Sequence, residues 1–169
     1  MNGLSVSLNT NDNNYQQGAA FMRILTILIS LFCFTGTIQA ADGLINKASN
    51  YSVQETMNRF EKIVKDKGFT IIARVDHAGA ATKMGETLRP TELLIFGNPK
   101  LGSKLMQSGQ TIGIDLPLKV LVWEDEKGLV SLSYNDSAWL KGRHGINDRD
   151  KVFQKMTGAL NAFSDAPVK

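Results

Sequence analysis

The stretch that most restricts the fold is "SVQETMNRFEKIVKDKGFTIIARV", residues 52–75. Ser52 with Glu55 three positions on forms a capping-box pattern. Val53, Met57, Phe60, Ile63 and Val64 then fall on one helical stripe, and Gly68 suits the position just past the last turn. The helix therefore has one apolar face to bury. "FTIIARV" (69–75), β-branched and partly alternating, follows at once and reads as a strand. A strand needs partners, and so a sheet to enter.

The remaining segments supply that sheet. "GLINKAS" (43–49) is a candidate first strand, and "ELLIF" (92–96) is an apolar run closed by Gly97, Asn98 and Pro99. "LKVLVWE" (118–124) and "LVSLSY" (129–134) flank "DEKG" and predict a hairpin. In that hairpin Lys119, Leu121 and Trp123 alternate with Val120 and Val122, and Ser131 and Ser133 with Leu132 and Tyr134. One face should be more polar, as expected when helices cover only the other. "NPKLGSKLMQ" predicts a short helix with Asn98 as N-cap and Pro99 at its first position. "SAWLKGRHG" predicts one or two helical turns, and "DRDKVFQKMTGALNAF" a final helix. The main order is β-α-β-β-β-β-α, an α+β domain with an antiparallel sheet backed by helices.

The front of the chain has a different character. Residues 22–40, "MRILTILISLFCFTGTIQA", combine Arg23, an apolar run from Ile24 to Phe34 and a small-residue end at Ala40. That is the pattern of a secretory signal peptide, and the apolar run is shorter than a bilayer span requires. Export to the periplasm or outside the cell is expected, with no stable membrane anchor after cleavage. Residues 1–21 are polar, Asn/Gln-rich and free of Lys and Arg, and read as a non-native or disordered extension ahead of a start at Met22. Residues 41–169 would then be one α+β domain. Cys33, the only cysteine, lies in the apolar run. The exported part would hold no thiol, which excludes disulfides and Cys-based metal sites there.

Charge narrows the partners. Basic residues interleave with acidic ones, as in "EKIVKDKG" and "EDEKG", and the net charge is only +3. Nucleic-acid binding, which calls for a clustered basic face, is not expected. "GNPKLGSK" (97–104) has the glycine spacing of a P-loop, but Ser103 precedes Lys104 where that motif needs the lysine first.

Antiparallel passes sort the polar residues to two ends of the sheet. Asp76, His77, Lys83, Met84, Glu86, Arg89 and Glu92 gather at one end. Asn98, Asp115, Tyr134, Arg143 and His144 gather at the other. The two histidines are thus kept apart, which argues against a two-His metal site within one chain; no metal and no cofactor are expected. His77 is the sharpest single residue: an imidazole beside Asp76, with Lys83 and Arg89 near enough to hold an anionic group and Glu92 to hold Arg89. The second candidate site is Asn98, Asp115, Tyr134, Arg143 and His144.

The strings "YSVQETMNRFEKIVKDKGFTIIARVDHAGAA", "LRPTELLIFGNPKLGSKLMQ", "IDLPLKVLVWED" and "YNDSAWLKGRHGI" resemble the domain-of-unknown-function 302 family, over about residues 43–146. His77, Arg89, Pro90, Glu92, Gly97, Asn98, Pro99, Gly102, Met106, Asp115, Leu116, Pro117, Tyr134, Arg143 and His144 match its pattern. The resemblance implies a small bacterial α+β domain, similar to half of the TATA-binding-protein arrangement, with a homodimer plausible. It carries over no catalytic residue.

Three functions are expected from these residues. The first is an exported, non-catalytic module binding a small anionic or amphipathic ligand, or a protein partner, at the His77 end. The second is an enzyme, hydrolase-like or other, with His77 as general base. The third is an interaction protein whose less polar sheet side pairs two copies. Cu(I) held by His77, Met84 and Met106 is a further alternative.

Overall fold

The computed structural model describes residues 43–169. The proposed extension (1–21) and signal peptide (22–40) lie outside the described residues. In chain order the elements are β1 (Leu44–Ser49), α1 (Val53–Asp66), β2 (Thr70–Asp76), α2 (His77–Lys83), β3 (Thr91–Gly97) and α3 (Pro99–Ser108). A 3₁₀ turn (Gln110–Ile114), β4 (Leu118–Glu124), β5 (Val130–Asn135), α4 (Ser137–Arg143) and α5 (Asp150–Asp165) complete the fold. The five strands form one antiparallel sheet in the order β1-β5-β4-β3-β2. The domain is therefore α+β, and the expected meander of the last four strands is present.

Helix α1 begins as its sequence predicts. Ser52 Oγ accepts from Glu55 N at 3.2 Å. The reciprocal half of the capping box does not form, because Glu55 pairs with Arg59 one turn on at 2.7 Å. The stripe Val53, Met57, Phe60 and Val64 is buried. It packs on Leu94, Phe96, Val120, Val122, Leu132 and Tyr134 of the sheet, and Leu160 and Phe163 of α5 close the same core. Phe60 meets Phe96 edge-on, with ring centroids 5.4 Å apart.

Register explains the alternation in the hairpin. Val120 pairs with Tyr134 and Val122 with Leu132, so all four share the helix-covered face. Leu121, Trp123, Ser131 and Ser133 occupy the other face, where Trp123 Nε1 donates to Ser133 Oγ at 2.8 Å. The less polar side is thus covered by α1 and α5 of the same chain. Pairing of two copies was expected through that side, which among the described residues is packed by the chain's own helices.

A second apolar cluster stands at one end of the sheet. Leu105, Ile112, Leu140, Ile146 and Phe153 form its buried centre. Trp139 packs into it and also lies against Gly43, whose φ of +81° and lack of a Cβ allow the indole to sit on the backbone.

Two features differ from the sequence reading. The segment after β2, which the order read from the sequence leaves without an element, is helix α2. Asp76 Oδ1 accepts from Gly79 N at 2.8 Å and starts it, and Ala78, Ala80 and Ala81 favour it. In β2 the register shifts between Ile71 and Ala73, which accounts for its imperfect alternation.

Candidate functional site

The end bearing His77 is an open surface. His77 is the first residue of α2 and is exposed, as are Lys83 at the other end of that helix and Met84 beyond it. Arg89 Nε donates to the Glu124 carbonyl at 3.1 Å. Glu92 does not hold Arg89, contrary to expectation. Its carboxylate takes Arg74, with Nη2 at 2.5 Å and Nε at 2.6 Å. The register is the reason. Arg74 pairs with Leu94 and Asp76 with Glu92, so Arg74 shares a face with Glu92 and sits beside it diagonally, whereas Arg89 lies before β3 begins. Arg74 Nη1 reaches on to Asn58 and Glu61 of α1, at 2.7 and 3.1 Å. This network ties α1 to the sheet edge. Glu61, bonded first by Lys65 and then by Arg74, has its carboxyl held below the ordinary 4.5 against the opposing effect of burial. Of the four residues proposed here, Glu92 is thus part of a structural ion pair, and His77, Lys83 and Arg89 stand around an unenclosed surface.

The opposite end is built differently. His144, just past α4, is only 5% exposed at its side chain. Its Nε2 lies 2.6 Å from Asp115 Oδ2, and its Nδ1 lies 3.1 Å from Thr111 Oγ1. Arg143 Nε approaches the same carboxylate oxygen at 3.4 Å while its guanidinium lies 5.1 Å from the Trp139 ring centre. Lys119 Nζ donates to the carbonyls of Asp115 and Pro117. Asp115, Arg143 and His144 therefore do meet, joined by Thr111, which the sequence reading missed. Asn98 and Tyr134 have other duties. Asn98 Oδ1 caps α3 through Lys100 N, and the Tyr134 hydroxyl donates to Asn161 Oδ1 at 2.9 Å.

The two histidines lie at opposite ends of the sheet, as strand direction required. Met106 is on α3, at the end away from His77 and Met84, so the three Cu(I) donors are not brought together. Among the described residues no group of three or more His, Cys, Asp or Glu is placed to hold a metal.

Beside the His144 cluster lies a cavity of about 310 Å³. It opens at the seam between the two apolar clusters, where α3 and α5 diverge over the ends of β2, β3 and β4. Phe96, Leu105, Leu116, Val152, Met156 and Phe163 are among its walls. Gly102 lines it too, and a Cβ there would meet only Leu116 Cδ1 at 3.7 Å, so the missing side chain leaves open space. Among the polar groups lining it, Asn98 is committed to its cap and Ser103 Oγ donates to the Pro99 carbonyl. Lys155 is its one charged lining residue. No residue pattern within one segment announces this cavity, because its walls come from five elements.

This helix-backed antiparallel sheet matches known proteins. The family model described as "Domain of unknown function DUF302" matches residues 45–163, and the chain belongs to that family. The crystal structure of an uncharacterized conserved DUF302 protein from Bacillus stearothermophilus superposes with a TM-score of 0.67 at 18% identity, covering 76% of this chain and all of that one. Among curated proteins, "Fluoride-specific ion channel FluC 1" of Brucella suis is 48% identical over 104 residues, 62% of this chain and 41% of its own length. The protein named "Fluoride-specific ion channel FluC 2" of Brucella melitensis is also 48% identical over 104 residues, and there 38% of its length is covered. The chain thus spans about two-fifths of the curated relatives it matches.

Proposed function

We propose that this chain is an exported, non-catalytic binding module whose ligand is a small molecule with an apolar body. One observation carries the reading: the cavity between α3 and α5, walled almost wholly by apolar side chains. Its volume falls at the lower end of the roughly 300–1,000 Å³ usual for small-molecule sites. The ligand site moves from the His77 end, where the surface is open, to the end with an enclosing wall. The Brucella relatives support the word module, since a segment like this one forms only part of each longer chain. Their channel name describes those whole proteins and is not extended to this chain. Export rests on the signal-peptide pattern of residues 22–40, and sequencing the N-terminus of the secreted protein tests it.

The binding reading is tested by native mass spectrometry of protein recovered from its own host. A co-purifying small mass that is lost in Gly102→Leu supports it. Retention of that mass in Gly102→Leu counts against the cavity as its seat.

A second reading, an enzyme, is favoured by a different observation. Thr111 Oγ1, the His144 imidazole and the Asp115 carboxylate stand in hydrogen-bonded series, the order used to activate a hydroxyl nucleophile. His144 replaces His77 as the general base in that case. Turnover of simple activated esters that disappears in both Thr111→Val and His144→Gln would favour it over the binding module.

A further inference from the structure

We infer that the cavity selects a single-chain amphiphile with an anionic headgroup, its tail between α3 and α5 and its carboxylate at Lys155. This inference rests on the cavity being the ligand site and adds which chemistry it takes.

The tail follows from volume and lining. At about 310 Å³ the cavity is at the lower end of small-molecule sites, which suits one short acyl chain better than two. The walls present thioether, aliphatic and aromatic surface from Met106, Met156, Leu101, Leu116 and Phe163. Hydrocarbon buried here gains from leaving water, whereas a polar tail would leave hydrogen-bonding groups unmet.

The headgroup follows from elimination among the polar residues lining the cavity. Asn98 and Ser103 already have partners within α3. Thr70 is uncharged. Lys155 is exposed on α5, and among the described residues it takes part in no ion pair. Among the described residues no Asp or Glu lines the cavity. An entering chain therefore meets one positive charge and no negative one. A lysine at an apolar rim can lay its stem along apolar surface and keep its ammonium in water.

The test uses calorimetric titration of the full chain with decanoate, decanol and decyltrimethylammonium, each below its micelle concentration. Their tails are of nearly equal length and their heads are negative, neutral and positive, so the comparison is read together with its salt dependence and with the Lys155 variants. Decanoate is expected to bind about fivefold tighter than decanol, the range of an exposed ion pair, and the cationic amphiphile weakest. Raising the salt should weaken decanoate alone. In Lys155→Met the decanoate and decanol affinities should converge, and Lys155→Glu should reverse the preference. Because Lys155 is exposed, neither variant disturbs the core, and an unchanged melting temperature confirms this. Equal binding of all three amphiphiles to the unaltered protein overturns the headgroup inference and leaves the cavity reading standing. A decanoate preference that survives Lys155→Met also overturns it. Failure of all three to bind overturns the cavity reading itself.

Discussion

His77 follows the end of β2 and His144 the end of α4, yet the two ends of the sheet use their imidazoles in opposite ways. His77 opens a short helix at the surface, with no wall in front of it and a neighbouring arginine turned to a backbone carbonyl. His144 is enclosed, bridges Thr111 to Asp115, and so fastens the 3₁₀ turn and the chain leading into β4 against α4. That fastened segment continues into Leu116 and Pro117, which line the cavity. The difference lies in cover. Past β2, among the described residues, the added element is the seven-residue α2, which buries no side chain. At the other end α3, the 3₁₀ turn, α4 and α5 converge and form a second apolar cluster. An end capped by several converging elements can enclose a ligand; an end capped by one short helix can only present a surface.

The contrast can be broken at the cluster first. His144→Ala should cost about 2–3 kcal/mol, since it leaves the largely buried Asp115 carboxylate without its closest partner. Urea unfolding measures this, and a loss under about 0.5 kcal/mol would show that the two ends are alike. Arg74→Met is the next largest, at about 1–2 kcal/mol, because Glu92 and Glu61 both lose a partner. Its pH dependence has a definite sign. The folded protein holds the Glu61 carboxyl below 4.5, so this contribution is complete above that pH and is lost as pH falls through the lower folded value. Removing Arg74 removes part of the shift. Between about pH 7 and about pH 3 the variant should therefore lose less stability than the parent, as the urea midpoints will show.

Gly102→Leu sharpens the comparison from the cavity side. It replaces a helical glycine and fills open space, so stability should rise by about 0.5–1 kcal/mol while bound small molecule is lost. A variant that is less stable would mean the wall there is closed. His77→Ala and Arg89→Ala should have the smallest effects, within about 0.5 kcal/mol of the parent and with decanoate affinity unchanged. A marked fall in affinity for either would return the ligand to the first end.

How much was legible depends on the range of the interaction involved. The capping serine, the apolar stripe of α1, Asn98–Pro99 at the head of α3 and the alternating hairpin all depend on neighbours within a few residues, and each formed where its residues pointed. Helix α2 is weakly marked because Gly79 lowers its helix propensity, although its cap, Asp76 to Gly79, is a local signal. The partner of Glu92 could not be read locally. Arg89 is its near neighbour in the chain and Arg74 is a strand away, and only the register puts Arg74 on the same face.

The sequence by itself determined the α+β class, the strand directions and hence the separation of the two histidines, because periodicity and caps act within single elements. Tertiary structure alone decided that Thr111, His144 and Asp115 meet and that α3 and α5 diverge over a cavity. Those outcomes depend on how elements far apart in the chain pack together, and no single segment carries that information.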